Sequence, residues 1–169
     1  MDGGCRVTRS TQTAQTKARQ EWATPQRIFN RLHAAWNFTI DGMANARNAK
    51  LPRYVNSKQD FFKQRFSGER VFVNPPFAIT AKVVRRTVEM VNDAKGPEMV
   101  ALWLPANPFG AWWVDVFETA TELITFDRRI AHDPPPGIKA SSPGGGVMVA
   151  RFDWGCGGPP DLQMWRRDE

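Results

Sequence analysis

Cysteine is scarce: Cys5 and Cys156 stand near opposite ends of the 169 residues, in no CxxC pair and beside no histidine cluster. That excludes a disulfide scaffold and argues against a zinc site, so no metal is expected. The two histidines, His33 and His132, are isolated and have no neighbour at ligand spacing, so both read as structural. No apolar run approaches the roughly 18 residues that a membrane span needs. The opening residues lack a hydrophobic signal core, so the expected location is the cytoplasm, with no membrane partner. The Gly-rich loop usual in nucleotide-binding folds is also missing, which counts against an NAD or ATP site. Gly144–Gly146 is followed by no Lys-Ser/Thr pair and is not a phosphate loop. There is no internal repeat.

What the chain does have is a core and an excess of positive charge. Apolar residues make up 41%, with 11 Phe and 7 Trp, and charged residues 24%, the ordinary balance of one soluble globular domain. The net charge is +6 and the isoelectric point about 9.8, which points to an anionic partner. Residues 1–20 carry Arg6, Arg9, Lys17 and Arg19 against Asp2, with no apolar period, and read as a flexible basic arm. Between Asn45 and Arg86 lie ten basic residues, among them Arg47, Lys50, Arg53, Lys58, Lys63 and Arg65. Only Asp60 and Glu69 oppose them, and Tyr54, Phe61, Phe62 and Phe66 are interleaved. Basic and aromatic residues mixed in this way suit a surface that meets phosphates and bases. The competing reading is a solvated basic face with its aromatics in the core.

Local patterns predict alternating helices and strands. Thr24-Pro25 is a helix start, a hydroxyl cap followed by proline at the first helical position. Ile28, Phe29, Leu32 and Trp36 follow at helical spacing, and Asn37 ends the run. Short strands are expected at Phe38–Ile40 and Arg70–Val73, with 43–68 showing no sustained period. Val84, Val88 and Val91 define a second helix, closed near Gly96-Pro97. The apolar run Met99–Leu104 suits a buried parallel strand. Trp112, Trp113 and Phe117 suggest a short helix, and strands follow at Leu123–Phe126 and Val147–Phe152. Residues 127–145 read as a long loop, in which Asp133 is a loop residue rather than a base. The order predicts an α/β fold with a mostly parallel sheet flanked by helices. The domain is expected to span 21–153, with a flexible Gly- and Pro-rich tail over 154–169.

In such a sheet, ligands bind beyond the carboxyl ends of the strands. Two candidates lie there: Asp41, and the string Asn74-Pro75-Pro76-Phe77. An Asn-Pro-Pro-aromatic turn is suited to methylating an exocyclic amino group. The lone pair of that nitrogen is delocalised into its ring, so it must be held and aimed. An Asn oxygen and the following backbone carbonyl can each accept one of its N–H bonds. Proline stiffens the turn, positioning supplies much of the rate, and Phe77 can stack on a base taken out of a duplex. Asp41 alone is weak evidence, since Asp after a strand is commonly a turn residue.

The motifs together resemble a known family. Trp22-x-Thr24-Pro25, Phe38-Thr39-Ile40-Asp41-x-x-Ala44, Asn48-Ala49-Lys50 and Val71-Phe72-Val73-Asn74-Pro75-Pro76-Phe77 fall in the order seen in small Dam-like DNA N6-adenine methyltransferases of phages and prophages. Leu104-Pro105-Ala106, Trp112-Trp113 and Arg129-Ile130 also fit its later segments. The resemblance covers roughly residues 20–152. It implies a Rossmann-like methyltransferase fold that uses S-adenosylmethionine and no metal. By position, Trp22, Thr24, Pro25, Asp41, Ala44 and Asn48 would bind the cofactor, and Asn74 to Phe77 would hold the target base. The sequence departs at Phe77, where Tyr is common, and at Met43, where relatives often have Cys.

The expected activity is therefore methyl transfer to adenine N6 in double-stranded DNA, with short or relaxed sequence specificity because the chain has no room for a separate reading domain. Arg47, Lys50, Arg53, Lys58, Lys63 and Arg65 are the expected DNA contacts. Two alternatives remain open at this point. The same chemistry suits cytosine N4, an RNA base or a protein glutamine, and an inactive nucleic-acid-binding module would keep the fold alone.

Overall fold

The computed structural model describes residues 22–134 and 146–168. The basic arm expected at 1–20, and 135–145 of the expected long loop, lie outside the described residues. Six strands form one sheet in the order β1-β2-β3-β5-β4-β6. They are β1 (Ile40–Asp41), β2 (Arg70–Val73), β3 (Met99–Pro105), β4 (Glu122–Phe126), β5 (Val147–Asp153) and β6 (Asp161–Trp165). The helices are α1 (Gln26–Trp36), α2 (Thr80–Val91) and α3 (Trp113–Thr119). The pairings β1–β2, β2–β3 and β4–β6 are parallel, while β5 runs antiparallel to both of its neighbours. This is a Rossmann-like sheet with parallel pairs in the majority.

The alternation of side chains on the strands builds two cores. Met99, Ala101 and Trp103 of β3 and Phe72 of β2 face one side, where α1 packs Ile28, Phe29, Leu32 and Trp36 against them. Val100, Leu102 and Leu104, with Val71 and Val73, face the other, where α2 packs Val83, Val84, Met90 and Val91. A strand covered on both faces must be apolar at every position, which is why β3 reads as an unbroken run. Phe61 and Phe66 of the basic window also lie in this second core. For them the reading of core aromatics holds.

Three sequence expectations are corrected. Helix α1 starts one residue later than expected: Pro25 is its N-cap, with no side-chain cap, and Thr24 Oγ1 has no partner. The first strand is displaced to Ile40–Asp41. Phe38 instead packs its ring near those of Phe29, Trp36 and Phe72. Thr39 joins the ladder through its hydroxyl, which accepts from Arg70 N while Thr39 N donates to the Arg70 carbonyl. Finally, the expected flexible tail contains β6. That strand pairs with β4, and Trp165 lies under the Arg31 guanidinium with Cζ 3.9 Å from the ring centroid. Arg27 and Arg31 of α1 also donate to the carbonyls of Arg167 and Arg166.

Leu102 is wholly buried on the central strand. Leu102→Ala should lower the unfolding free energy by about 2–5 kcal/mol in urea titrations. Met164→Ala, on the exposed side of β6, should stay within about 0.5 kcal/mol of wild type.

Candidate active site

The parallel register sets Asp41 beside Phe72, so Asn74 begins just beyond it at the same carboxyl edge of the sheet. Strand β4 runs in the same sense as β3, both being antiparallel to β5, and the chain following β4 therefore returns to that edge. There Ala23 and Asp133 exchange two backbone hydrogen bonds of 3.0 Å. Sequence reading gave no hint of this bridge, because backbone pairing between distant loops leaves no side-chain pattern.

Asp41 is almost fully buried. Its carboxylate accepts from the backbone N–H of Lys50 at 3.0 Å and of Met43 at 3.4 Å. Burial outweighs these bonds and the nearby Lys50 charge, and raises its pKa from 3.8 to about 6. Relative to an exposed carboxylate, that disfavours the charged form by about 3 kcal/mol at neutral pH. Gly42 follows because nothing larger fits: a Cβ there would lie 2.9 Å from Val71 Cγ1 and 3.0 Å from Val73 Cγ2. The Asn48 side chain accepts from Asn45 N at 2.8 Å and closes the turn that carries Arg47. Ala44 is tied to Val55 by its backbone N–H.

Asn74 Nδ2 donates to the Trp22 carbonyl at 3.0 Å. A carbonyl accepts only from the amide NH2, so this bond fixes the flip of the side chain and leaves Oδ1 as its acceptor. Pro75 is buried, and Pro76 caps a 3-10 turn, Phe77–Ile79, that leads directly into α2. Phe77 is half-buried and meets His132 edge-on at 6.1 Å between ring centroids. His132 is one of the two histidines read from the sequence as structural. It is buried, its Nε2 accepts from Trp103 Nε1 at 2.7 Å, and it stands 6.2 Å from the Trp22 ring. A spacing search could not find it, since its neighbours come from three distant segments.

One cavity is shared by Ala23, Thr24, Asp41, Met43, Asn48, Lys50, Phe72 and Asn74. It brings together the cofactor candidates Thr24, Asp41 and Asn48 with the base candidate Asn74. Pro25 and Ala44 are joined to it through their chain neighbours, and Trp22 through its carbonyl. Thr24 Oγ1 is buried and unpartnered among the described residues, an orphan that a bound molecule would satisfy. Among the described residues no three His, Cys, Asp or Glu side chains lie together as metal ligands would.

The basic residues divide. Arg47, Lys58, Lys63 and Arg65 are exposed. Arg53 is exposed too, but it makes a two-pronged ion pair with Glu69, at 2.7 and 3.2 Å, at the amino end of β2 and away from Asn74. Lys50 turns inward with its side chain only 9% exposed, so it is no surface phosphate contact. Its Nζ lies 3.1 Å from Gln26 Oε1 and 3.8 Å from Asp133 Oδ2.

The doubly covered, mainly parallel sheet is of the Rossmann-like class, and it carries the Asn74 turn and the Asp41 carboxylate at adjacent strand ends. The chain belongs to the DNA N-6-adenine-methyltransferase (Dam) family, whose model matches residues 10–144. It is 21% identical over 117 residues to the DNA N-6-adenine-methyltransferase of Escherichia phage T1, a match covering 68% of this chain and 48% of that protein. The chain thus spans about half the length of that relative. Among solved structures, a predicted O-methyltransferase, Atu636 of Agrobacterium tumefaciens, matches 68% of this chain and 52% of its own, at 14% identity and a TM-score of 0.36.

Two buried groups make opposite contributions to acid stability. Burial lowers the His132 pKa from 6.5 to about 4, against a smaller opposing effect of Asp133. The fold therefore loses stability as pH falls from 6.5 towards 4, because the unfolded chain takes up the proton first. For Asp41, whose folded pKa is the higher one, the same acidification relieves the cost of a buried charge. Relative to wild type, His132→Gln should gain about 3 kcal/mol in urea-unfolding free energy between about pH 7.5 and about pH 4. A difference that does not change with pH would show that the imidazole does not titrate in this window.

Proposed function

We propose that this protein transfers a methyl group from S-adenosylmethionine to the exocyclic N6 of adenine in double-stranded DNA. The observation that carries this reading is the Asn74 amide, whose NH2 is committed to the Trp22 carbonyl and whose oxygen is left to accept. Family membership supports it independently. The cofactor, when bound, supplies a methyl group on a positively charged sulfur, ready for attack by a nitrogen lone pair. Thr24, Asp41 and Asn48 would hold it, with Trp22, Pro25 and Ala44 shaping the wall. The orphaned Thr24 hydroxyl and the buried carboxylate give the cavity polar walls, and at about 10 Å³ it would have to widen to admit the cofactor.

Asn74 Oδ1 and the neighbouring Pro75 carbonyl accept the two N–H bonds of the target amino group. That draws electron density onto the nitrogen and directs its lone pair along the transfer path. Phe77 offers an aromatic face to a base turned out of the helix, and His132 stands against its edge. As the N–CH3 bond forms, the S–CH3 bond would break and S-adenosylhomocysteine would leave; the methylated nitrogen then loses one proton to solvent water, so Asn74 does not have to act as a base. Arg47, Lys58, Lys63 and Arg65 grip phosphates, and Lys82, whose Nζ is 3.9 Å from the Phe62 ring centroid, extends this positive surface onto the first turn of α2.

Labelled-methyl transfer into unmethylated DNA, followed by digestion and mass analysis of nucleosides, tests this directly. N6-methyladenine is expected with wild type, and Asn74→Ala should reduce the rate by about 100-fold or more. N4-methylcytosine would keep the mechanism and change the base. Incorporation that survives Asn74→Ala would overturn the assignment of the turn.

The phosphate contacts have a separate signature. Removing the three charges of Lys58, Lys63 and Arg65 together should lower the salt-dependence slope of DNA binding by about 2 to 3. Arg53→Ala should leave that slope nearly unchanged, since Glu69 already pairs with its guanidinium.

A further inference from the structure

Lys50 belongs by sequence to the basic window, yet it is sequestered. Its side chain is 9% exposed, against 62% for Arg53 and 78% for Lys63. It lines the same cavity as Asp41, Thr24 and Asn74. Burying an ammonium is costly unless anionic or strongly polar partners surround it. The partners in place are incomplete. Gln26 takes one of three donors at 3.1 Å, and the Asp133 carboxylate, half-exposed, stands at 3.8 Å, beyond hydrogen-bond reach. Asp41 lines the same cavity, and its two oxygens accept one backbone N–H each, from Met43 and from Lys50, which leaves each a further lone pair. The ammonium of this cavity-lining residue thus retains donors, and the same wall includes Asp41 and Thr24, whose buried hydroxyl has no partner among the described residues.

We propose that Lys50 and Asp41 form a charge-matched cradle for the amino-acid end of the cofactor, in which the Lys50 ammonium binds the α-carboxylate and Asp41 faces the α-ammonium. This rests on the methyl-transfer reading, and it moves Lys50 from the DNA surface to the cofactor. The arrangement has a geometric consequence. Asn74 shares the wall of the same cavity, so a ligand held there by Lys50 and Asp41 would lie beside the turn proposed to hold the base. Lys50 would then act twice, through its backbone on Asp41 and through its side chain on the ligand.

Calorimetric binding of S-adenosylhomocysteine and of 5′-deoxy-5′-methylthioadenosine separates this from a purely structural role. The second ligand keeps the nucleoside and the thioether but lacks both charges of the amino-acid end. For Lys50→Met, the affinity for S-adenosylhomocysteine should fall by about tenfold or more while that for methylthioadenosine is unchanged. Lys50→Arg, which keeps the charge, should recover most of the loss. An equal loss for both ligands would mean that Lys50 only holds the loop, and no loss for either would dismiss it from the site. Should Lys50→Met fail to fold, the wild-type protein and Lys50→Arg still decide the question. Wild type preferring S-adenosylhomocysteine by less than about threefold leaves no energy for a cradle and overturns the proposal. Wild type binding neither ligand would overturn the methyl-transfer reading itself.

Discussion

The structure of the site depends on one residue, Asp41, and on the number of hydrogen bonds it makes. Its backbone N–H donates to the Arg53 carbonyl at 3.0 Å and its carbonyl accepts from Val55 N at 2.8 Å. Its carboxylate meanwhile accepts from Met43 and Lys50. The chain therefore leaves β1 at Asp41, makes an excursion through 42–52, and is returned to the same residue. A two-residue strand could not anchor such a loop by ladder pairing alone. The buried carboxylate does so at a cost of about 3 kcal/mol at neutral pH, the free energy of keeping it charged where a solvated group would be easier to ionise.

That excursion decides what becomes of the positive charge. In the sequence, 45–86 is one continuous basic window. In the fold it separates according to what each side chain meets. Lys50 is drawn into the cavity, Arg53 is neutralised by Glu69, and Arg70 is neutralised by Glu98. Arg86 donates to the Gln64 carbonyl and pairs with Glu89. Arg47, Lys58, Lys63, Arg65, Lys82 and Arg85 remain outward-facing, with Lys63 3.9 Å from Asp60, so the exposed positive surface is smaller than ten basic residues suggest. Surface potential depends on which charges remain unpaired and exposed, and a count along the chain cannot distinguish these from the rest.

The same distinction explains which parts of the fold were legible. Strand β2 matches its expected span residue for residue, because a short apolar run between charged residues and an Asn-Pro-Pro turn admits few alternatives. The stripe of α1 and the doubly buried β3 were equally readable, since their patterns report burial directly. Strand β6 was hidden by its position at the sheet edge. Leu162 and Met164 are exposed there, and what orders the segment is β4 and an arginine 134 positions earlier in the chain, at Arg31. Gly- and Pro-rich spacing before it imitates a tail. The turn Asn74–Phe77 and Asp41 were legible as candidates, whereas the inward turn of Lys50 was not, because charge patterning carries no information on direction. The position of His132 beside the turn was not legible because its neighbours Trp22, Phe77 and Trp103 are distant in sequence.

The choice of asparagine at the head of the turn sets a requirement of its own. An aspartate in that place presents two equivalent acceptors and works in either orientation. An amide has one acceptor and one donor end, and in the proposed reaction the wrong flip would point an NH2 at the amino group to be held. In this fold the Trp22 carbonyl resolves the ambiguity by taking the donor end. Trp22 can do so only because Ala23 is bridged to Asp133, which fixes the segment across the edge of the sheet. In the proposed reaction, the loop after β4 therefore contributes to aiming the target nitrogen although it supplies no acceptor to it. Slackening that bridge would act on catalysis through the flip of a single amide, with the cavity wall and the base-stacking ring left in place.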